Sequence, residues 1–407
     1  MDKEIFTRQP EPAPKDTPAG PLAGINFLIQ PDLCVEDWPT DAGSLALSRY
    51  QALSDSTIAA QLKASGAWIS GSTQMAEFGL GIKGSTMAKA LSGGYGQVGI
   101  MTDMTGEARM TAGIAGWYGF KPSWGLLSRY GLTGLIPSME CSGFIAKTPD
   151  EITRVLTQVA GPDEKDPAMS NTSVFNTRKH CEKKQPFLKI AVPRGIEKTL
   201  PESLQKQFLL SLEKISEAGF KISEHDFPEF DYFASAHQII ASVEASSCCG
   251  KYDGVRYGYR TKESRNWNQM YLDSRKQAFG PLIKEFLFQG AYFQFESYKA
   301  FEDACIVRQT LVSAMDQIFS SAGLIALPVQ VPDCDPVLAD TIGKIYETSC
   351  FCLPANLAGL PALGIPDFLQ SDKNCCGLQI MGPRLSDTDV LNAGQTINKT
   401  ILKGCRQ

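Results

Sequence analysis

Histidine is scarce in this chain, with three (His180, His225, His237) in 407 residues. No Cys-x-x-Cys pair stands at zinc spacing either, so a zinc or similar nitrogen-and-sulfur centre lacks its usual ligands, and neither a metal nor a cofactor is expected. No apolar run is long enough to cross a membrane. Basic charge is not in excess: 39 Lys and Arg face 44 Asp and Glu, for a net charge of -5. Bulk electrostatics therefore argue against direct nucleic-acid binding. A secretory signal is lacking, so the 12 cysteines read as reduced, buried thiols in a cytoplasmic protein. They include the pairs Cys248-Cys249 and Cys375-Cys376 and the near pair Cys350 and Cys352, the last read as packing positions. The Arg/Ser-rich, acid-poor look of a transit peptide is missing too, which leaves the mitochondrial matrix only as an alternative address. No internal repeat stands out.

What is present suits a globular protein. Hydrophobic residues make up 43% and charged residues 20%, enough to bury a sizeable core. The length allows two or three average domains or one large one. Residues 1–20 are Pro-rich and polar and are expected to form a flexible tail. Residues 55–66 predict a helix with Ile58, Ala59 and Leu62 on one face, and 67–71 a strand. That order suggests a βαβ unit and a parallel or mixed sheet. Thr148-Pro149-Asp150-Glu151 is a capping box opening a helix whose buried stripe is Ile152, Val155, Leu156 and Val159. Residues 163–185 read as a surface excursion. Strands are expected at 188–193, 220–222, 324–328, 362–366 and 377–382. Helices are expected at 203–219, 241–249, 262–276, 283–318 and 386–402. The aromatic residues Tyr292, Phe293, Phe295, Tyr298 and Phe301 are helically spaced, which fits a core or a protein interface better than a base-stacking platform.

Residues 91–125 stand out. Glycine, alanine and small polar residues dominate there, around Asp103, Thr105 and Arg109, so backbone can approach backbone or a ligand closely. Gly119-Phe120-Lys121-Pro122-Ser123-Trp124-Gly125 follows and leads into Ser128-Arg129-Tyr130-Gly131-Leu132. These segments, with Gly20-Pro21-Leu22-Ala23-Gly24-Ile25, 251–260 and Asn356-Leu357-Ala358-Gly359-Leu360-Pro361, resemble the amidase signature family. Within it they are most similar to the glutamine-hydrolysing subunits of tRNA amidotransferases. The resemblance runs in the family's order over nearly the whole chain. It implies an amidase-signature α/β/α core, a large mixed sheet flanked by helices, as a single domain over 21–407. The longer helical N-terminal portion usual in the family is lacking.

The resemblance also implies a Ser-Ser-Lys triad, in which a lysine of depressed pKa activates a serine nucleophile through a second serine. The matching positions here read differently. Gln30 stands at the lysine, Leu91 at the relay serine and Glu107 at the nucleophile, with Ser92, Asp103, Thr105 and Gly106 beside them. The segment between the two serine motifs is several residues short. Ser85, Thr86 and Ser92 are the nearby hydroxyls, with Lys83 and Lys89 close in sequence. In the implied amino-acid pocket, the tyrosine match is Tyr257 or Tyr259, the arginine match is Arg308, and Ser349 stands where an aspartate is expected, with Glu347 nearby as a substitute. From these replacements the expectation is a catalytically inactive amidase-like chain, serving as a structural or partner component of a larger complex, such as a tRNA amidotransferase. Two alternatives stand beside it. One is an active amidase or glutaminase component, in which the short segment shifts the positional matches and Ser85, Thr86 or Ser92 stands in; Glu107, as a carboxylate nucleophile or base, lacks the partners the family's mechanism uses. The other is a small-ligand module built from Gln30, Glu107 and Arg308.

Overall fold

The computed structural model describes residues 4–14, 19–82, 85–169, 189–329, 339–366 and 377–404. Eleven strands form one mixed sheet: β1 (Phe6–Arg8), β2 (Asn26–Ile29), β3 (Trp68–Thr73), β4 (Val98–Asp103), β5 (Tyr118–Lys121), β6 (Cys141–Ala146), β7 (Lys189–Pro193), β8 (Lys221–His225), β9 (Leu324–Pro328), β10 (Ala362–Ile365) and β11 (Leu378–Met381). Their order across the sheet is β1-β3-β2-β4-β6-β5-β10-β11-β9-β7-β8. β2 runs parallel to both β3 and β4, and β7 runs parallel to both β8 and β9, while the strands between these groups pair antiparallel. Every residue of β4 and β6 is buried, as expected of central strands covered on both faces.

The helices are α1 (Thr57–Ala64), α2 (Thr86–Ser92), α3 (Glu107–Ala115), α4 (Pro149–Val159), α5 (Glu202–Glu217), α6 (Phe230–Cys248), α7 (Trp267–Ala278), α8 (Pro281–Phe295), α9 (Tyr298–Ser321), α10 (Ile342–Ser349), α11 (Leu353–Leu357) and α12 (Asp387–Gly404). The Thr148 capping box forms, and Ile152, Val155, Leu156 and Val159 are buried as the periodicity requires. α1 buries Ile58, Ala59 and Leu62 and is capped by Ser56, whose hydroxyl accepts from the Ala59 N–H.

Two expectations change. The N-terminal stretch is not simply a loose tail, because Phe6–Arg8 adds an antiparallel edge strand to β3. The Phe6 ring is buried edge-on to Tyr95 at 5.1 Å, and the Arg8 guanidinium lies 4.4 Å over Trp38. The strand is only a short triplet, Phe6-Thr7-Arg8, hidden in the sequence by the prolines that follow. The helix expected over 283–318 is two helices, α8 and α9, broken at Glu296-Ser297. No glycine or proline marks that break. The excursion expected over 163–185 lies partly outside the described residues, as do His180, Lys83 and the Cys375-Cys376 pair. The cysteines that are described are free thiols, and no cluster of three or more metal-ligating side chains occurs among the described residues.

Candidate active site

β4 ends at Asp103 and α3 begins at Glu107, so residues 104–106 make the tight strand-to-helix turn from which the site is built. Gly106 has φ +117°, and a Cβ there would lie 2.4 Å from the Cβ of Cys352. Glycine is thus required twice over, by the backbone and by the wall opposite. The turn aims three consecutive N–H groups at one point. Glu107 Oε2 accepts from the N–H of Met104 at 2.8 Å, of Thr105 at 2.7 Å and of Gly106 at 3.1 Å. Its Oε1 accepts from the Thr105 hydroxyl at 2.7 Å. Convergent backbone donors at a helix N-terminus form an anion-binding nest, reinforced by the helix dipole. Glu107 is fully buried. Burial pushes its carboxyl above the ordinary glutamate value, the neighbouring Asp103 pushes it the same way, and the hydrogen bonds from Thr105 and Met104 pull against both.

A second buried network holds the turn. Arg109 grips Asp103 through Nη2 at 3.0 Å and Nε at 3.2 Å, with both side chains fully buried. The guanidinium also donates to Gln379 Oε1 at 2.6 Å, Asn356 Oδ1 at 2.5 Å and the Cys352 carbonyl at 3.2 Å. Asn356 Nδ2 returns a bond to Asp103 at 3.0 Å. Burial alone would raise the Asp103 carboxyl, but the paired Arg109 holds it below the ordinary aspartate value. Arg109 in turn is pushed further up by Asp103 despite its burial. On the other side of the turn, His237 Nε2 lies 3.0 Å from the Met104 carbonyl and Nδ1 lies 2.9 Å from the Tyr346 hydroxyl. A carbonyl only accepts, so Nε2 carries the proton and Nδ1 accepts from the tyrosine. Burial pushes the His237 pKa down to about 3, which keeps the ring neutral.

The residues singled out in the sequence divide. Asp103, Thr105, Gly106, Glu107 and Arg109 come together in this turn. Gln30 is buried at the end of β2, where its side-chain Oε1 accepts from the Thr102 N–H at 3.2 Å and so extends the β2–β4 ladder. Leu91 is buried in α2 within an apolar cluster that includes Leu28, Met87 and Ala108, a setting that supplies no proton relay. Ser92 closes α2 on its exposed side, Lys89 is exposed, and Ser85 precedes the helix with φ +48°. Thr86 is engaged elsewhere, donating its hydroxyl to the Gln74 carbonyl at 2.6 Å.

The implied amino-acid pocket is not assembled as expected. Arg308 spends its nitrogens within the protein, on the Leu357 carbonyl at 2.9 Å and on the hydroxyl and carbonyl of Ser138 at 3.0 and 3.2 Å. The Ser349 hydroxyl bonds back to the Ile345 carbonyl one turn earlier, at 2.7 Å. Tyr257 is exposed, Tyr259 donates to Gln277 at 2.8 Å, and Glu347 faces solvent. His237, Tyr346 and Gln379 were missed in the sequence. The signal for His237 was its rarity and its position in a helix otherwise rich in small and apolar residues.

The model of the family described as Amidase matches residues 7–90 and 87–391. The chain belongs to the amidase family. A curated relative from Lactobacillus acidophilus, the A component of its glutamyl-tRNA(Gln) amidotransferase, is 31% identical over 93% of this chain and 84% of its own length. The protein of the same name from Natronomonas pharaonis is 29% identical over 98% of this chain and 100% of its own. Among solved structures, the corresponding component of the Thermotoga maritima amidotransferase superposes with a TM-score of 0.77. It is 25% identical over 97% of this chain and 87% of that one. These relatives overturn the expectation of an inactive chain: they carry the name of an amidotransferase over nearly this chain's whole length, and nothing in the matches sets it apart as inert. The expectation had rested on matching three positions by spacing across a segment several residues short, where a shift of register moves every match.

Proposed function

We propose that this amidase-family chain is an amide-hydrolysing component that releases ammonia from glutamine for tRNA-dependent transamidation, working with protein partners. The observation that carries the reading is the nest of the Met104, Thr105 and Gly106 N–H groups beside the Glu107 carboxylate. Such a nest is what a tetrahedral oxyanion needs, and donors of this kind contribute most when they are fixed in advance and shielded from water. The names and coverage of the relatives support the substrate class.

In this reading Glu107 swings off the nest and takes a proton from a water molecule. The hydroxide adds to the carboxamide carbon, and the carbonyl oxygen, now negative, takes the place that Glu107 Oε2 held. The carbon–nitrogen bond then breaks as the Glu107 carboxylic acid returns its proton to the departing amine. Water and amide are consumed, glutamate and ammonia are formed, and Glu107 ends as it began. Arg109 and Asp103 keep the turn in shape and take no proton. Glu107 and Thr105 are closed to solvent, so entry of substrate requires a movement that opens the turn.

The test compares ammonia release from glutamine by the native chain and by Glu107→Gln, alone and in the complex purified with it. A glutamine side chain preserves the volume and an acceptor oxygen but cannot take a proton. The expected loss is about 100-fold or more at an unchanged thermal midpoint. Equal rates in the two proteins would remove Glu107 from the chemistry.

A further inference from the structure

A cleft of about 500 Å³ lies between α6 and α8. It is lined by Ser235 and Ile239 of α6 and by Phe288, Gln289 and Tyr292 of α8. Along α8, Phe288 is 74% exposed, Tyr292 56% and Phe295 75%. Spaced four and three residues apart, they form one continuous stripe along the helix surface. Single exposed apolar residues are ordinary, but an aromatic stripe beside a cleft marks a binding surface.

Acidic charge is in excess along the rim. Glu285 lies three residues before Phe288, Glu296 four after Tyr292, and Asp231 four before Ser235, so each shares the face of its cleft neighbour. All three are exposed. Lys284, four residues before Phe288, is the only cation in α8 and offsets one of the three carboxylates, and Lys299, just past Glu296, is already paired with Asp303 at 2.6 Å. Two copies of this face would bring like charges together, and RNA would be repelled. A third helix with an apolar stripe and basic flanks meets both the shape and the charge.

We propose that the α6–α8 cleft is the docking site for a positively charged amphipathic helix of a partner protein. None of the residues lining the cleft belongs to the Glu107 turn, and peptide binding is read without any amide hydrolysis, so the proposal is tested independently of the function above. The test uses the full-length chain and a fluorescent Leu/Lys amphipathic peptide of about 18 residues, roughly five helical turns, with a Leu/Glu peptide of the same pattern as control. Anisotropy titration is expected to give about tenfold or greater preference for the Lys peptide, weakened in high salt. Phe288→Ser combined with Phe295→Ser is expected to weaken it about tenfold or more. Glu285→Lys combined with Glu296→Lys is expected to reverse the preference. These side chains are exposed, and an unchanged thermal midpoint and far-UV spectrum confirm that each variant is folded. Equal binding of the two peptides, or binding indifferent to both double variants, would overturn the proposal. So would a concentration-dependent dimer of the native chain that the phenylalanine variant abolishes, because a second copy would then be the occupant.

Discussion

Glu107 and Arg109 stand two residues apart in the first turn of α3, both fully buried, and are held in opposite ways. Arg109 has a carboxylate partner and three further acceptors, so its charge is matched. Removing it takes from Asp103 its hydrogen-bonded counter-ion, and a broken buried pair costs about 3–5 kcal/mol. Arg109→Met is expected to lower stability by that order in urea titration, and Arg109→Lys to recover little, because one ammonium cannot reproduce the fork. Glu107 has donors but no cation, and burial raises its carboxyl. A group with a raised pKa becomes a base only at higher pH, so kcat/KM for glutamine is expected to climb with pH, with its ascending limb above the ordinary glutamate value of 4.5. A rate independent of pH across that limb would count against Glu107 as the base. The resemblance drew attention to position 107 in the sequence. The surroundings of that carboxylate were not legible, because they depend on three N–H groups that converge only once the turn is folded.

At the scale of elements, periodic segments declared themselves and contacts between them did not. α4, with its capping box and buried stripe, was readable because its signals lie within one short helix and its cap, Thr148 to Val159. The division between α8 and α9 was not, since both sides favour helix and nothing local marks the break. The pairing of α6 with α8 was also hidden, although one glycine governs it. A Cβ on Gly290 would lie 1.8 Å from the Ser242 carbonyl oxygen, so the two helices approach closely only because that atom is missing. Gly290→Ala raises helix propensity by nearly 1 kcal/mol, yet overpacking of the crossing costs about 1–3 kcal/mol or more. Net destabilisation is expected in chemical denaturation, and a gain in stability would show that the crossing relaxes freely. Gln30 teaches the same lesson at a strand end. The sequence shows only a glutamine after a short apolar run, and the fold shows its amide joining the β2–β4 ladder.

For the whole molecule, the fold class and family were within reach of the sequence because the resembling segments span nearly the entire chain. The tie between distant parts was not. His237 joins α6 to the Met104 turn and to Tyr346 of α10 as a neutral ring, and its pKa falls from 6.5 unfolded to about 3 folded. Between those values the unfolded chain binds the extra proton, so this residue makes stability fall as pH drops through that window. Each pH unit costs up to about 1.4 kcal/mol. Asp32 works the other way, its carboxyl pushed up to about 6 by burial, so its contribution is lost as pH rises from 3.8 towards 6. The difference between native and His237→Gln stability profiles isolates the histidine, and it is expected to shrink steadily below pH 6.5. A pH-independent difference would mean that the ring is not held neutral. The measurement that bears most directly on the whole account is release of ammonia from glutamine by the purified native chain, alone and in its complex, with asparagine alongside. The account predicts turnover of glutamine that disappears in Glu107→Gln. No ammonia from the native protein in either state would contradict it.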